Sequence, residues 1–322
     1  MRIITLEEHF TTPMYIEATA SLSMGQPPNN YLQNIQRKQL DLGDERIADM
    51  DEAGIDTQVL SLSGILLDAL APATATVVAA DANNTAARAI QANPGRFAAF
   101  AALGLREPDM AADELRRCVE EFGFKGGIVN GTTDGLFLDD PRFFPVFQAA
   151  AELKVPIYLH PAPPPSAVQK AYYSGLPEGY GQALSIAAWG WHAETGLHVL
   201  RLIVSGLFDR LPELQIIIGH MGENLPFSIA RAESVLAQTV TTLKKPISEY
   251  FLTNFHVTTS GYFTLPPFLC ALQVTGADRI LFSVDYPFST NKKGRAFLDS
   301  LPVSPEDKEK IVHGNAERLL LV

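Results

Sequence analysis

Cysteine is almost missing from this 322-residue sequence, which holds only Cys118 and Cys270. Two isolated cysteines build neither a disulfide framework nor a zinc-finger pattern. A reducing, cytoplasmic setting is therefore the expectation, with each cysteine a small buried hydrophobe. Long apolar runs are also lacking. None approaches the roughly 18 residues that a membrane span requires, and the opening MRIITLEEHF puts two glutamates where a signal peptide needs its apolar stretch. Positive charge is scarce: 25 Lys and Arg stand against 36 Asp and Glu, a net charge of −11. That balance excludes a phosphate-backbone binder and surface-wide steering of anions, while leaving room for a local positive pocket. No glycine-rich phosphate loop follows the first strand-like segment, which argues against a doubly wound open sheet.

What is present is core material. Apolar residues make up 47% and charged residues 19%, a charged share below the usual quarter. Eight short apolar segments rich in β-branched and aromatic residues predict strands at 3–10, 57–64, 97–105, 126–133, 156–162, 214–222, 254–262 and 279–288. They read as parallel strands buried on both faces. Helical patterns lie between them. DERIADMDEAG starts with Asp44 as a candidate N-cap and stops at Gly54, and PDMAADELRRCVEEFG runs from Pro108 to Gly123. PRFFPVFQAAAELK, GLHVLRLIVSGLFDRLP and PEDKEKIVHGNAERLL follow the same logic. Eight strand–helix units predict an α/β fold, a (β/α)8 TIM-type barrel, as one domain over 1–322. Segments 11–45 and 161–185 lack regular periodicity and are expected to be long loops after strands one and five, on the catalytic face.

Ionisable groups fall at the ends of these apolar strands. Glu7, Glu8 and His9 end strand one; alternation puts Glu7 and His9 on one face and Glu8 on the other. His160 ends strand five, His220 strand six and Asp285 strand eight. Burying such groups without partners costs several kcal/mol each, and a metal ion is the simplest shared partner. Imidazoles and carboxylates with no thiolate suit Zn2+, Mn2+, Fe2+ or Co2+ better than Mg2+ or Ca2+. A lone strand histidine is more often a hydrogen-bonded core residue, so it is the convergence of four strand ends that carries the metal reading. Glu223 is placed to orient His220, or else to favour a helix N-terminus. Tyr286 and Phe288 are expected as pocket walls, and Arg231 as either a substrate-carboxylate contact or a solvated helix arginine. His192, His198 and His313, on helices, read as surface or satisfied groups, and His256 as deep in the barrel.

In this order the segments resemble the amidohydrolase-related family of metal-dependent decarboxylases. LEEHF is similar to the Glu-x-His signature of strand one, and YLHP, GHMGE, NFHVTTSG and LFSVDYPF follow in the family's sequence. The resemblance implies an amidohydrolase-like barrel in which Glu7, His9, His160 and Asp285 bind one divalent metal. It implies that His220 and Glu223 assist chemistry and that Arg231 and Phe288 touch substrate. Lys125 precedes strand four and belongs to the opposite rim, so one metal is expected rather than two. The sequence departs from the family at Ala162 after the strand-five HP, at Trp191 where Phe commonly lines the pocket, and at Leu236 in place of a polar amide.

The expectation is a non-oxidative carboxy-lyase of a hydroxylated aromatic acid, holding one Zn2+ or Mn2+ and no organic cofactor. Asp285 is the expected proton donor; His220 and Glu223 assist, and Trp191, Tyr286, Phe288 and Arg231 contact the small aromatic substrate. A homodimer or homotetramer is implied, with no nucleic acid or membrane partner. The alternative is a lactone, ester or amide hydrolase with Asp285 as general base, disfavoured by Glu-x-His standing where His-x-His would be. A third reading is a barrel that binds an aromatic acid without turnover.

Overall fold

The computed structural model describes residues 1–22 and 29–322. Its strands are β1 (Ile4–Phe10), β2 (Thr57–Leu62), β3 (Phe97–Ala99), β4 (Ala101–Ala102), β5 (Gly127–Asn130), β6 (Ile157–His160), β7 (Ile216–Ile218), β8 (Phe255–Thr258) and β9 (Ile280–Leu281). All of them pair in parallel and in chain order. β3 and β4 are one stave interrupted at Phe100, giving eight staves, each inside one of the eight segments expected from sequence. A parallel bridge between Leu6 and Ser283 brings β1 against the chain leaving β9, with Ser283 Oγ donating to the Leu6 carbonyl. The architecture is a (β/α)8 barrel.

Two apolar layers hold it. Inside, Ile4, Leu6, Val59, Phe100, Ile128, Tyr158, Ile217 and Leu281 meet, with Ala316 and Leu320 of the C-terminal helix packed against them. Outside, the opposite faces of the staves pack on the helices in a larger cluster. This double burial is why the strands read as unbroken apolar runs.

Several helices start and stop where expected. Asp44–Ala53 ends at Gly54 (φ 67) and Pro108–Phe122 ends at Gly123 (φ 70). Asp44 is not the N-cap, however. Gly43 holds that position, and Asp41 accepts from the Gly43 and Arg46 N–H groups. The long-loop expectation for 11–45 and 161–185 is also corrected. Helices Pro13–Thr19, Asn30–Leu40, Ser166–Tyr173 and Tyr180–Ser185 occupy much of them, and part of the first segment, 23–28, lies outside the described residues. Three of the four are eight residues or fewer, too short for a clear apolar period. Asn30–Leu40 buries only Ile35 and Gln39.

Candidate metal centre and active site

The barrel's C-terminal rim carries unusual backbone. Nine described non-glycine residues have positive φ, and six of them are Glu7, His220, Met221, Glu223, Asn224 and Asp285. Such conformations cost on the order of 1–3 kcal/mol each and persist where surrounding structure enforces them. At Glu7 the cause is a bulge: Thr5 pairs with Gln58 and Glu8 with Leu60, so β1 carries one extra residue. Glu7 and His9 face the rim cavity side. Glu8 turns away to accept from the Val284 and Tyr286 N–H groups; burial lifts its pKa to about 8 against those bonds and nearby Arg46.

Glu7, His9 and His160 are buried, and their ligand atoms lie within 4.8 Å of one another. His160 Nε2 is 3.3 Å from Glu7 Oε1, and His9 Nε2 is 3.2 Å from Asp285 Oδ1. Tyr158 donates to Glu7 Oε2, while Glu7 Oε1, fully buried, has no hydrogen-bond partner among the described residues. A buried carboxylate oxygen left this way costs several kcal/mol unless a cation faces it. Ligand atoms about 2.1 Å from one ion lie about 3.0–3.4 Å apart in octahedral or tetrahedral arrangement, which matches both distances. Burial, with the neighbouring His9 and His220 rings, pushes the His160 pKa well below its ordinary value, keeping it in the neutral form that a metal ligand needs.

A second buried group, His192, His220 and Glu223, is equally compact but different in kind. His192 Nδ1 is 2.6 Å from Glu223 Oε2, and His220 Nδ1 is 2.7 Å from Glu223 Oε1. Those separations are hydrogen bonds, too short to span a shared ion. One metal position, not two, is what the donor atoms fit. Burial alone would lower the His220 pKa, but the charges of Glu223 and Glu7 outweigh it and raise it to about 10. Glu223 is lowered in turn, since His220 and His192 overcome its burial. The left-handed turn from Met221 to Asn224 folds Glu223 back under His220, so Glu223 is not the first residue of the helix that follows.

Between these groups lies a cavity of about 440 Å3 lined by His9, Tyr31, Ser63, Ile65, His160, Ile186, Ala187, Trp191, His192, His220, Gly261, Tyr262, Asp285 and Phe288. The Phe288 ring meets His9 edge-on with centroids 5.5 Å apart, and Trp191 meets His160 at 6.3 Å. The structure therefore brings together Glu7, His9, His160, Asp285, His220, Glu223, Trp191 and Phe288. It does not bring in two of the expected contacts. Tyr286 is buried on the outer side, its ring covered by Arg46 and Lys38, because it directly follows Asp285 and successive side chains of extended chain point to opposite faces. Arg231 is exposed on helix Leu225–Leu236; the turn at Met221–Asn224 redirects that helix, and no lysine or arginine is among the described residues lining the cavity.

Sequence reasoning missed His192, Tyr262 and Tyr158. Of the two alternatives, surface or satisfied, His192 takes the second: it is buried with both ring nitrogens engaged, and Tyr262 lies against it at 5.4 Å. Its signal was spacing: residues 192, 195, 196, 199 and 203 form the buried stripe of helix Gly190–Val204. Tyr158 sits two residues before His160 on β6 and so shares its face. His198 is a buried core group that accepts from the Leu138 N–H through Nε2. His313 pairs with Glu317. His256 is buried beside Arg279.

Comparison with known proteins agrees with this picture. The amidohydrolase family pattern matches residues 27–322. A γ-resorcylate decarboxylase of Polaromonas sp. is 39% identical across 98% of this chain and 97% of its own. A solved 2,6-dihydroxybenzoate decarboxylase holding 2,6-dihydroxybenzoate superposes with a TM-score of 0.91 at 37% identity, covering all of both chains. A dihydroxybenzoic acid decarboxylase from Polaromonas sp., with bound manganese and 2-nitroresorcinol, superposes at 0.90 with 36% identity over 99% of this chain and 97% of that one.

Proposed function

This chain belongs to the amidohydrolase family, and from that membership and its rim geometry we propose that it is a metal-dependent carboxy-lyase acting on a hydroxylated aromatic acid. The observation that carries the reading is the buried Glu7 Oε1, 3.3 Å from His160 Nε2, beside the His9 Nε2–Asp285 Oδ1 pair at 3.2 Å. Glu7, His9, His160 and Asp285 would hold one divalent ion, Mn2+ or Zn2+. When bound, it supplies positive charge that chelates and orients the substrate's phenolate and carboxylate oxygens.

The chain's residues do the rest. Trp191, Phe288, Ile65, Ile186 and Tyr262 give the ring apolar walls and exclude water. Asp285, whose side chain is partly open to the cavity, delivers a proton to the ring carbon that bears the carboxylate. The bond from that carbon to the carboxylate then breaks, its electron pair returns to the ring, and CO2 leaves. His220, held by Glu223 through Nδ1, presents Nε2 on the cavity side and stabilises negative charge there. With no lysine or arginine among the described residues of the wall, that task falls to the ion and His220.

Assembly and location belong to the same reading. Phe227 is 89% exposed, and the neighbouring helix Leu265–Thr275 exposes Leu265 and Leu269. An apolar face of that kind suits a homodimer or homotetramer. The free thiols of Cys118 and Cys270 suit the cytoplasm. The interior cluster that joins both ends of the chain supports one working domain over 1–322. Light scattering of wild type and Phe227→Glu tests the assembly: a shift towards monomer in the variant is expected, and a monomeric wild type overturns it.

The activity test is CO2 release from a panel of hydroxybenzoates by Mn2+- or Zn2+-loaded protein, run in 18O-water. Turnover should leave no solvent 18O in the phenolic product, and Asp285→Asn should lower kcat by about 10^2- to 10^4-fold. Label entering an acid product would establish hydrolysis instead.

A further inference from the structure

Helix Gly190–Val204 delivers one polar group to the active-site cavity that the chemistry above leaves unused. His192 is 3% exposed, and both of its ring nitrogens are engaged. Nε2 lies 3.0 Å from the Ala187 carbonyl oxygen, and Nδ1 lies 2.6 Å from Glu223 Oε2. A carbonyl oxygen only accepts, so Nε2 carries a proton. The Nδ1 contact then needs a second proton, on the ring or on the carboxyl. Glu223 already accepts from His220 Nδ1 through its other oxygen, and a carboxylate is acceptor-only, so the arrangement is complete when each of its two oxygens meets a ring N–H.

Resting on the carboxy-lyase reading, we propose that His192 is a positioning residue: its Nδ1–H fixes Glu223 so that Glu223 can hold His220 at the reacting ring. The array runs Ala187 carbonyl, His192, Glu223, His220. Two oxygens of one fully buried carboxylate are satisfied by two imidazole N–H groups; with only one donor, Glu223 Oε2 would stand unpaired in an apolar setting. The anchor is tight. A Cβ on Gly190 would come within 2.3 Å of the Ser185 carbonyl oxygen, so the start of the helix lies directly against the segment that bears Ala187. Ile186 and Ala187 are themselves cavity wall. His192 thereby ties the wall that meets substrate to the group that orients His220.

Three variants separate this role from packing. Asn at 192 retains an N–H near the Nδ1 position, Gln retains one near Nε2, and Leu retains neither. His192→Leu should keep its metal content and KM while kcat falls about tenfold to a hundredfold. His192→Asn should recover most of that loss, and His192→Gln less. Equal losses in the Asn, Gln and Leu variants, kcat within twofold of wild type in the Leu variant, or a loss confined to KM or to bound metal each overturn the proposal. Nitrogen-15 spectra of histidine-labelled, Zn2+-loaded wild type give a readout that does not depend on turnover. Protons on both His192 nitrogens are expected; a ring with a bare Nδ1 overturns the assignment. If no phenolic acid is decarboxylated while both protons are seen, the carboxy-lyase reading fails and the hydrogen-bond array stands.

Discussion

Glu7 gathers most of the site's energetics into one side chain. It is fully buried, burial drives its pKa up, and the charge of His220 only partly offsets this. Tyr158 occupies one oxygen and the other faces His160 and, at 4.0 Å, His220. Removing the charge with Glu7→Gln should abolish stoichiometric metal binding, measurable by elemental analysis after dialysis; full occupancy would contradict the assignment. Tyr158→Phe removes a donor that aims the carboxylate without touching the ion. It should weaken metal affinity about 10- to 100-fold in a direct titration, and unchanged affinity would show that Glu7 is held by packing alone. Glu7, His9, His160, His220 and Asp285 were visible in the sequence because ionisable residues stand at the ends of four apolar strands that a barrel brings to one rim. The part His192 plays was not, because a helix histidine reads as either a surface or a satisfied group until its place on the apolar stripe is counted. Arg231 and Tyr286 misled for the complementary reason: nearness in sequence to His220 and Asp285 does not survive a left-handed turn or a strand's alternation.

The turn from His220 to Glu223 shows the same thing for an element. Gly222 sits at φ 85, where a Cβ would lie 2.9 Å from Pro226 Cδ and 3.0 Å from Val257 Cγ1. Gly222→Ala is therefore both strained and crowded. It should cost about 1–3 kcal/mol in urea unfolding and lower kcat by displacing His220 and Glu223 together; wild-type kcat would mean that the turn's shape is not what aims His220. The eight staves were legible because burial on both faces forces continuous apolar composition. The helices within 11–45 and 161–185 were not, since Ser166–Tyr173 buries no residue at all and rests on local geometry rather than on an apolar stripe. The same two-sided burial conceals bulges. Nothing in ITLEEHF announces the extra residue that turns Glu7 towards His160.

Across the whole barrel, two buried histidines outside the metal centre tie stability to pH. Burial lowers the His198 pKa to about 3, against a weak opposing pull from Asp139. Burial, then Arg279 and Arg318, lowers that of His256 to about 3. Both rings are neutral when folded and bind protons near pH 6.5 when unfolded, so their contribution is full above pH 6.5 and is lost as pH falls towards 3. At pH 5 each should cost on the order of 2 kcal/mol relative to pH 7. Urea midpoints of a His198→Gln, His256→Gln double variant should fall less between pH 7 and 5 than those of wild type; parallel curves would contradict the assignment. Metal should also act on the whole fold, because Glu7, His9, His160 and Asp285 come from three separate staves. Chelation should lower the melting temperature, and metal at a hundred times its dissociation constant should restore about 2.7 kcal/mol. The most direct test of the account is metal stoichiometry after equilibrium dialysis against Mn2+. One ion per chain in wild type and none in Glu7→Gln is the expected result. Two ions in wild type, or one retained in Glu7→Gln, would contradict it.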